Sequence, residues 1–253
     1  MTILDVCNLA LMRIGDLAIT SLSDTTKQAR IVSAFVHTAI DEVIRVFPWN
    51  CTIRRSRPLL PADVPAWVTL TAVTEGMYRN AGTTRIYLCV TSGTTGATAP
   101  TGTSGTITDG TAEWRFIMNT TDENLSVFTY RYLLPVDILR VLDLNGSKSA
   151  MYRIEGRILY TNETECIVRY AKKIDVDDMD PVLINAIVSR LASQVAYVIT
   201  SNEQIAQLLY QEFAVTVSMA RQVAAVEDRE DMVDVLQLFT DAKIALARNS
   251  AQE

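Results

Sequence analysis

The chain is short of histidine, of paired cysteines and of positive charge, and each shortage removes a class of function. His37 is the only histidine in 253 residues. It has no Glu-x-x-His neighbourhood of the kind zinc hydrolases use, and a Ser-His-Asp triad would have to be built on this single ring. Cys7, Cys51, Cys89 and Cys166 are far apart among apolar or strand-like neighbours and form no C-x-x-C pair. That spacing predicts buried reduced thiols rather than a disulfide or metal site. Lys and Arg number 23 against 29 Asp and Glu, a formal net charge of -6. The balance argues against a broad basic surface that holds nucleic acid through its phosphates. No apolar run approaches the roughly 20 residues a membrane span needs, and MTILDVCNLALMRIGD has no basic leader. The expectation is a soluble protein folded in a reducing cytoplasm.

What the chain does have is apolar periodicity. With 49% hydrophobic residues it can bury a core. Thr25 to Asn50 reads as the organising helix, with Val32, Phe35, Val36, Ala39, Ile40, Val43, Ile44 and Phe47 at three- and four-residue steps. Thr25 and Gln28 have the spacing of a capping box, Asp41 and Arg45 that of an i,i+4 pair. Pro48 ends the helix, and Trp49 is expected to plug the end of the core. Residues 2 to 14 predict an earlier helix capped by Thr2 and Asp5, folded back on the long one. Asp180-Pro181 opens PVLINAIVSRLASQVAYVIT, apolar nearly all round and so the expected central helix. A further helix is expected to start near Ser201, with Ile205, Leu208, Leu209, Phe213, Val217 and Ala220 on its stripe.

Between these helices the character changes. Pro58, Pro61 and Pro65 precede a Thr- and Gly-rich stretch with short strand-like runs, VTLTAV, RIYLCV, GTITDG and AEWRFIM. Asp109-Gly110 suits a tight hairpin, and no lysine stands where a phosphate-cradling loop would need one. Strand patterns return in FTYRYLLP, ILRVLDLNG, YRIEGRILYTN and ECIVRYAKK, with a hairpin expected at Glu155-Gly156-Arg157. The small sheet they predict is assigned to the same core as the helices.

Three residue groups are candidates for chemistry or binding. Asp175, Asp177, Asp178 and Asp180 lie close together, but Met179 stands at a ligand position and the glycine of a calcium loop is missing, which favours a charged helix entrance. Arg54, Arg55 and Arg57 form a basic cluster, read as a solvated face in preference to phosphate contact. Trp67, Tyr78, Tyr87 and Trp114 can either line a sugar-binding face or fill the core of a small β module, and the second reading is preferred. No catalytic, cofactor-binding or metal-binding set emerges.

The ordered pieces CNLALMRIGD, SLSDTTKQAR, DEVIRVFPWN, RYLLPVDILRVLDLNG and YRIEGRILYTNE, followed by a Pro-started apolar helix, resemble the tail tubular protein A or head-to-tail adaptor family of short-tailed phages. The resemblance covers about residues 1 to 60 and 127 to 225. Residues 61 to 126 depart from the family pattern; GTTGATAP and TDGTAEW look like the small Gly/Thr-rich β modules attached to various phage structural proteins. The combined expectation is an α+β fold: an antiparallel α-helical bundle with a small antiparallel β-sheet, plus an inserted all-β module. Its body would be residues 1–60 and 127–226, its insertion 61–126, and its end an amphipathic helix and tail over 227–253. The resemblance implies no turnover and no cofactor. It implies a virion neck protein, assembled in the host cytoplasm, that forms a ring, expected to be dodecameric, between the portal protein and the tail nozzle protein. DNA would pass through without sequence-specific binding, and no membrane is involved. Met232, Val235, Leu236, Phe239 and Leu246 form an apolar stripe expected to dock on the portal or a neighbouring subunit. The alternative is a virion-surface module that recognises a glycan or capsid through the four aromatics.

Overall fold

A computed structural model describes residues 1–227 except Thr83, Leu125 and Lys148. The chain divides into two compact units, Met1–Thr52 with Ile174–Glu253, and Ile53–Lys173.

The first unit is helical. α1 (Ile3–Arg13) begins in a full capping box: Thr2 Oγ1 accepts from the Asp5 amide at 3.2 Å, and Asp5 accepts from the Thr2 amide at 2.7 Å. Gly15, at φ +76°, turns the chain just past its end. α2 (Lys27–Val46) is capped by Thr26, one residue later than the spacing suggests, and Gln28 turns instead to the Asp16 carboxylate. Val32, Val36, Ala39, Ile40, Val43 and Ile44 are buried along α2, whereas Phe35 lies at the exposed margin. Beyond Pro48, Trp49 is buried edge-on to Phe47, and its indole N–H donates to the Val43 carbonyl at 3.0 Å.

α3 (Pro181–Thr200) is capped by Asp180, whose carboxylate accepts from the Val182 amide at 2.7 Å. It packs against α1, α2 and α4 (Glu203–Glu227), as the central helix must. Contrary to the sequence expectation, α3 is long and apolar enough to cross a bilayer, yet it buries Leu183, Ile187, Leu191 and Val195 among its neighbours. Ser201 does not cap α4. It closes α3 in the left-handed conformation at φ 56°, and Asn202 Oδ1 accepts from the Gln204 and Ile205 amides.

Two polar clusters lock these helices. Arg13 of α1 donates to Asn185 and Ser189 on α3 and to Glu212 on α4. Glu42 of α2 accepts from Arg190 Nη2 at 2.7 Å and Nε at 3.1 Å, and from Gln194 Nε2 at 3.1 Å. The same guanidinium lies 5.4 Å from the Tyr210 ring centre and 5.8 Å from that of Phe213. Bidentate pairing and ring stacking use the planar fork that lysine lacks.

The second unit is all strands apart from one 3₁₀ turn. Twelve strands are described. β1 (Ile53–Ser56), β12 (Val168–Lys172) and β9 (Ile138–Leu144) form one antiparallel sheet in the order β1-β12-β9. β10 (Tyr152–Glu155), β11 (Ile158–Thr161) and β8 (Tyr130–Leu133) form another in the order β10-β11-β8. Gly156 (φ +60°) makes the expected β10–β11 hairpin. β3 (Tyr78–Ala81), β4 (Arg85–Thr91), β7 (Ala112–Asn119) and β6 (Thr106–Asp109) form a four-stranded sheet, and β2 (Ala72–Val73) pairs with β5 (Gly93–Thr94).

The expected helical bundle with one small sheet is therefore corrected. The chain has twelve strands in four antiparallel sheets and four helices, counted over the described residues. The physical reason is where the strands bury their apolar faces. Tyr132, Leu134, Val141, Leu144, Leu159, Val168 and Tyr170 form a cluster among themselves. A second cluster joins Val64, Tyr78, Ile86, Leu88 and Met118 of the stretch 61–126 to Leu133 of β8. Tyr78 also donates its hydroxyl to the Leu134 carbonyl at 2.7 Å. Strands on both sides of residue 126 thus share one core.

Candidate interaction surfaces

The signature glycines and the aromatics of the stretch 61–126 turn out to be one piece of construction. The stretches around Gly93 and Gly110 run back to back: the Thr111 amide donates to the Thr94 carbonyl at 2.9 Å, and the Thr94 amide donates to Thr111 Oγ1 at 2.8 Å. A Cβ at Gly93 would stand 2.4 Å from the Thr111 carbonyl oxygen, and one at Gly110 2.2 Å from that of Thr94. Only glycine allows this approach. Asp109, buried at the turn, accepts from the Gly96 amide, from Trp67 Nε1 and from Trp114 Nε1. Tyr78, Tyr87 and Trp114 are buried and Trp67 is half-buried; Tyr78 packs in the cluster with Leu133 and the other three share a second cluster, so the four rings are core and not an exposed stacking face.

The basic cluster is also dispersed. Strand alternation sends Arg54 and Arg55 to opposite faces of β1, and Arg55 stands opposite Arg169, which pairs with buried Asp143 at 3.1 Å. Of the acidic run, Asp180 caps α3 and Asp177 accepts the Met1 ammonium at 2.7 Å. No group of three or more His, Cys, Asp or Glu positioned to hold a metal occurs among the described residues. Burial pushes the Cys7 and Cys166 thiols up to about 11, which keeps them protonated and unreactive at neutral pH.

The helical unit, by contrast, leaves apolar side chains exposed at the end of α1 and along α4. At the end of α1, Met12 is 63% exposed and Leu17, in the following turn, 80%. On α4, Leu208 is 65% exposed, Val215 52% and Met219 58%. Helical spacing alone explains half of this. Leu209, Phe213, Val217 and Ala220 take the inner stripe, as the sequence indicates, which leaves Gln211, Val215, Ser218, Met219 and Gln222 facing out. None of these five is charged. Leu208, expected on the inner stripe, instead lies on the outer one, because it stands one residue, about 100° of helix turn, from buried Leu209. The expected docking residues Met232, Val235, Leu236, Phe239 and Leu246 lie outside the described residues. No protein-family model matches the chain, and no curated protein does.

Proposed function

We propose that this protein is a structural head-to-tail adaptor of a short-tailed phage, a ring subunit seated between the portal protein and the tail nozzle protein. The observation that supports the reading beyond the sequence resemblance is the exposure of apolar side chains on two elements of the helical unit, Met12 and Leu17 at the end of α1 and Leu208, Val215 and Met219 on α4, which no described residue covers. Two different exposed apolar sites on one subunit suit heterologous, head-to-tail contacts, which close into rings. The acidic balance suits a channel through which DNA slides, because a net charge of -6 works against the displacement of counterions that would hold the duplex. In this reading Met232, Val235, Leu236, Phe239 and Leu246 dock on the portal or a neighbouring subunit. The glycan-binding alternative draws no support from the four aromatics, since their rings are packed into the strand unit's cores.

The test is portal binding by Leu236→Ala and Phe239→Ala. Each truncation removes roughly 1.5 to 3 kcal/mol of burial per subunit, repeated around a ring. Binding should be lost while the melting temperature of the free subunit falls little. A destabilised subunit that still binds portal would overturn the docking role.

A further inference from the structure

β10 stands at the end of its sheet and, among the described residues, pairs with β11 alone. Such an edge leaves a row of backbone donors and acceptors open to another strand. Other sheet ends are blunted: β3 and β8 are bridged by Ala66 and Leu59, and β1 carries Arg54 and Arg55 with no acid, so two copies of it repel. β10 instead carries both signs. Arg153 and Glu155 lie two residues apart on one face, 3.7 Å from each other and each more than half exposed. Ile154, on the opposite face, pairs with buried Leu159 and is itself 40% exposed. We propose that β10 pairs antiparallel with β10 of a second copy, in the register that sets Ile154 against its counterpart and Arg153 against Glu155.

Charge and strand alternation together select the occupant and the register. Centred on Ile154, the pairing carries the apolar face on from one copy to the other and makes two reciprocal Arg153–Glu155 pairs on the opposite face. Centred on Arg153 it would set two guanidiniums opposite each other, and centred on Glu155 two carboxylates, and like charges directly opposite are destabilising. A slip of one residue would set Ile154 against a charge. The contact is two-fold and closes at two copies, so it is separate from the head-to-tail contacts of a ring and does not rest on the adaptor reading. β10 has four residues, a small contact beside the ~1,600 Å² of a standard stable interface, so the pair is short-lived and has to be trapped.

Disulfide trapping on the full chain tests this, under a mild oxidant and read on a non-reducing gel. The unaltered chain sets the contribution of its own four thiols, and Val127→Cys, at an 85% exposed position, measures chance collision. Ile154→Cys should cross-link several-fold faster than Val127→Cys, and more slowly as salt screens the charges. Arg153→Cys and Glu155→Cys should each stay at the Val127→Cys level alone, because each would lie roughly 8 Å from its own counterpart, too far for a disulfide. An equal mixture of those two should cross-link. Added to Ile154→Cys, Arg153→Glu should slow trapping several-fold, and so should Glu155→Arg. Mixing the two reversed chains should restore it, as should Arg153→Glu/Glu155→Arg in one chain, which leaves the composition unchanged. Trapping of Ile154→Cys no faster than that of Val127→Cys overturns the inference. So does trapping that ignores the charge reversals, or cross-linking of Arg153→Cys or Glu155→Cys alone above the Val127→Cys level, which belongs to another register.

Discussion

Trp67 and Trp114 donate their indole N–H groups to the same oxygen of Asp109, at 2.7 and 3.1 Å, although they are 47 residues apart in sequence. The other carboxylate oxygen takes the Gly96 amide at 2.7 Å, so one side chain satisfies three donors around a tight turn. Asp109→Ala would leave all three without an acceptor, at about 1–3 kcal/mol for each that stays dry. Asp109→Asn keeps one acceptor oxygen and should cost less. Denaturant unfolding of the strand unit, followed by tryptophan fluorescence, should rank wild type, Asn and Ala in that order. Equal midpoints for wild type and Ala would show that the triad carries no stability.

The core shared across residue 126 gives a second expectation. Replacing residues 61–126 by a short Gly/Ser linker strips Val64, Tyr78, Ile86, Leu88 and Met118 from Leu133 and removes the hydroxyl bonded to the Leu134 carbonyl. Losing several buried large side chains at once exceeds the stability of an ordinary domain, since each contributes about 2–5 kcal/mol. Hydrogen exchange should then show residues 127–173 unprotected. Full protection there would mean that the stretch 61–126 is a separable module, as its composition alone suggests.

How much of this was legible in the sequence depends on distance along the chain. Caps were readable because they are local: Thr2 with Asp5, and Asp180 before Pro181, act as their spacing requires. Thr25 and Ser201 each slipped by one residue, because Thr26 and Asn202 are equally able caps next to them. The Gly156 hairpin was readable for the same local reason. What strand alternation does not encode is which core receives the apolar side. The sequence reading puts the sheet in the helices' core, yet Val168 and Tyr170 of its last strand bury with Val141 and Leu144. Likewise the signature glycines were visible while their purpose, a backbone contact between Thr94 and Thr111, was not.

Alkali should destabilise the protein in a defined window. Cys7 and Cys166 are raised by burial from 9.0 to about 11 and Tyr78 from 10.0 to about 12. Below pH 9 both folded and unfolded thiols are protonated, and their contribution is fully present. Between pH 9 and 11 only the unfolded thiols lose their protons, so stability falls with rising pH, by roughly 2–3 kcal/mol for a two-unit shift. Urea midpoints measured from pH 8 to 11 should decline, and Cys7→Ala/Cys166→Ala should flatten the decline. Iodoacetamide at pH 8 should label half-buried Cys51 before the buried Cys7, Cys89 and Cys166.

The Glu42–Arg190 pair should couple two helices measurably. It is bidentate and partly buried, with Arg190 also stacked near Tyr210 and Phe213. A double-mutant cycle of Glu42→Gln and Arg190→Met should give a coupling of about 1 kcal/mol, above the few tenths of an exposed pair. Strict additivity would reduce the pair to a surface contact.

Native mass spectrometry with electron microscopy, on the protein alone and mixed at micromolar concentration with the portal protein from the same genome, tests the adaptor reading most directly. The account predicts a ring on the portal, with the twelve copies of the expected dodecamer, and with Phe239→Ala absent from it. A protein that neither associates with itself nor binds the portal under those conditions would contradict the account.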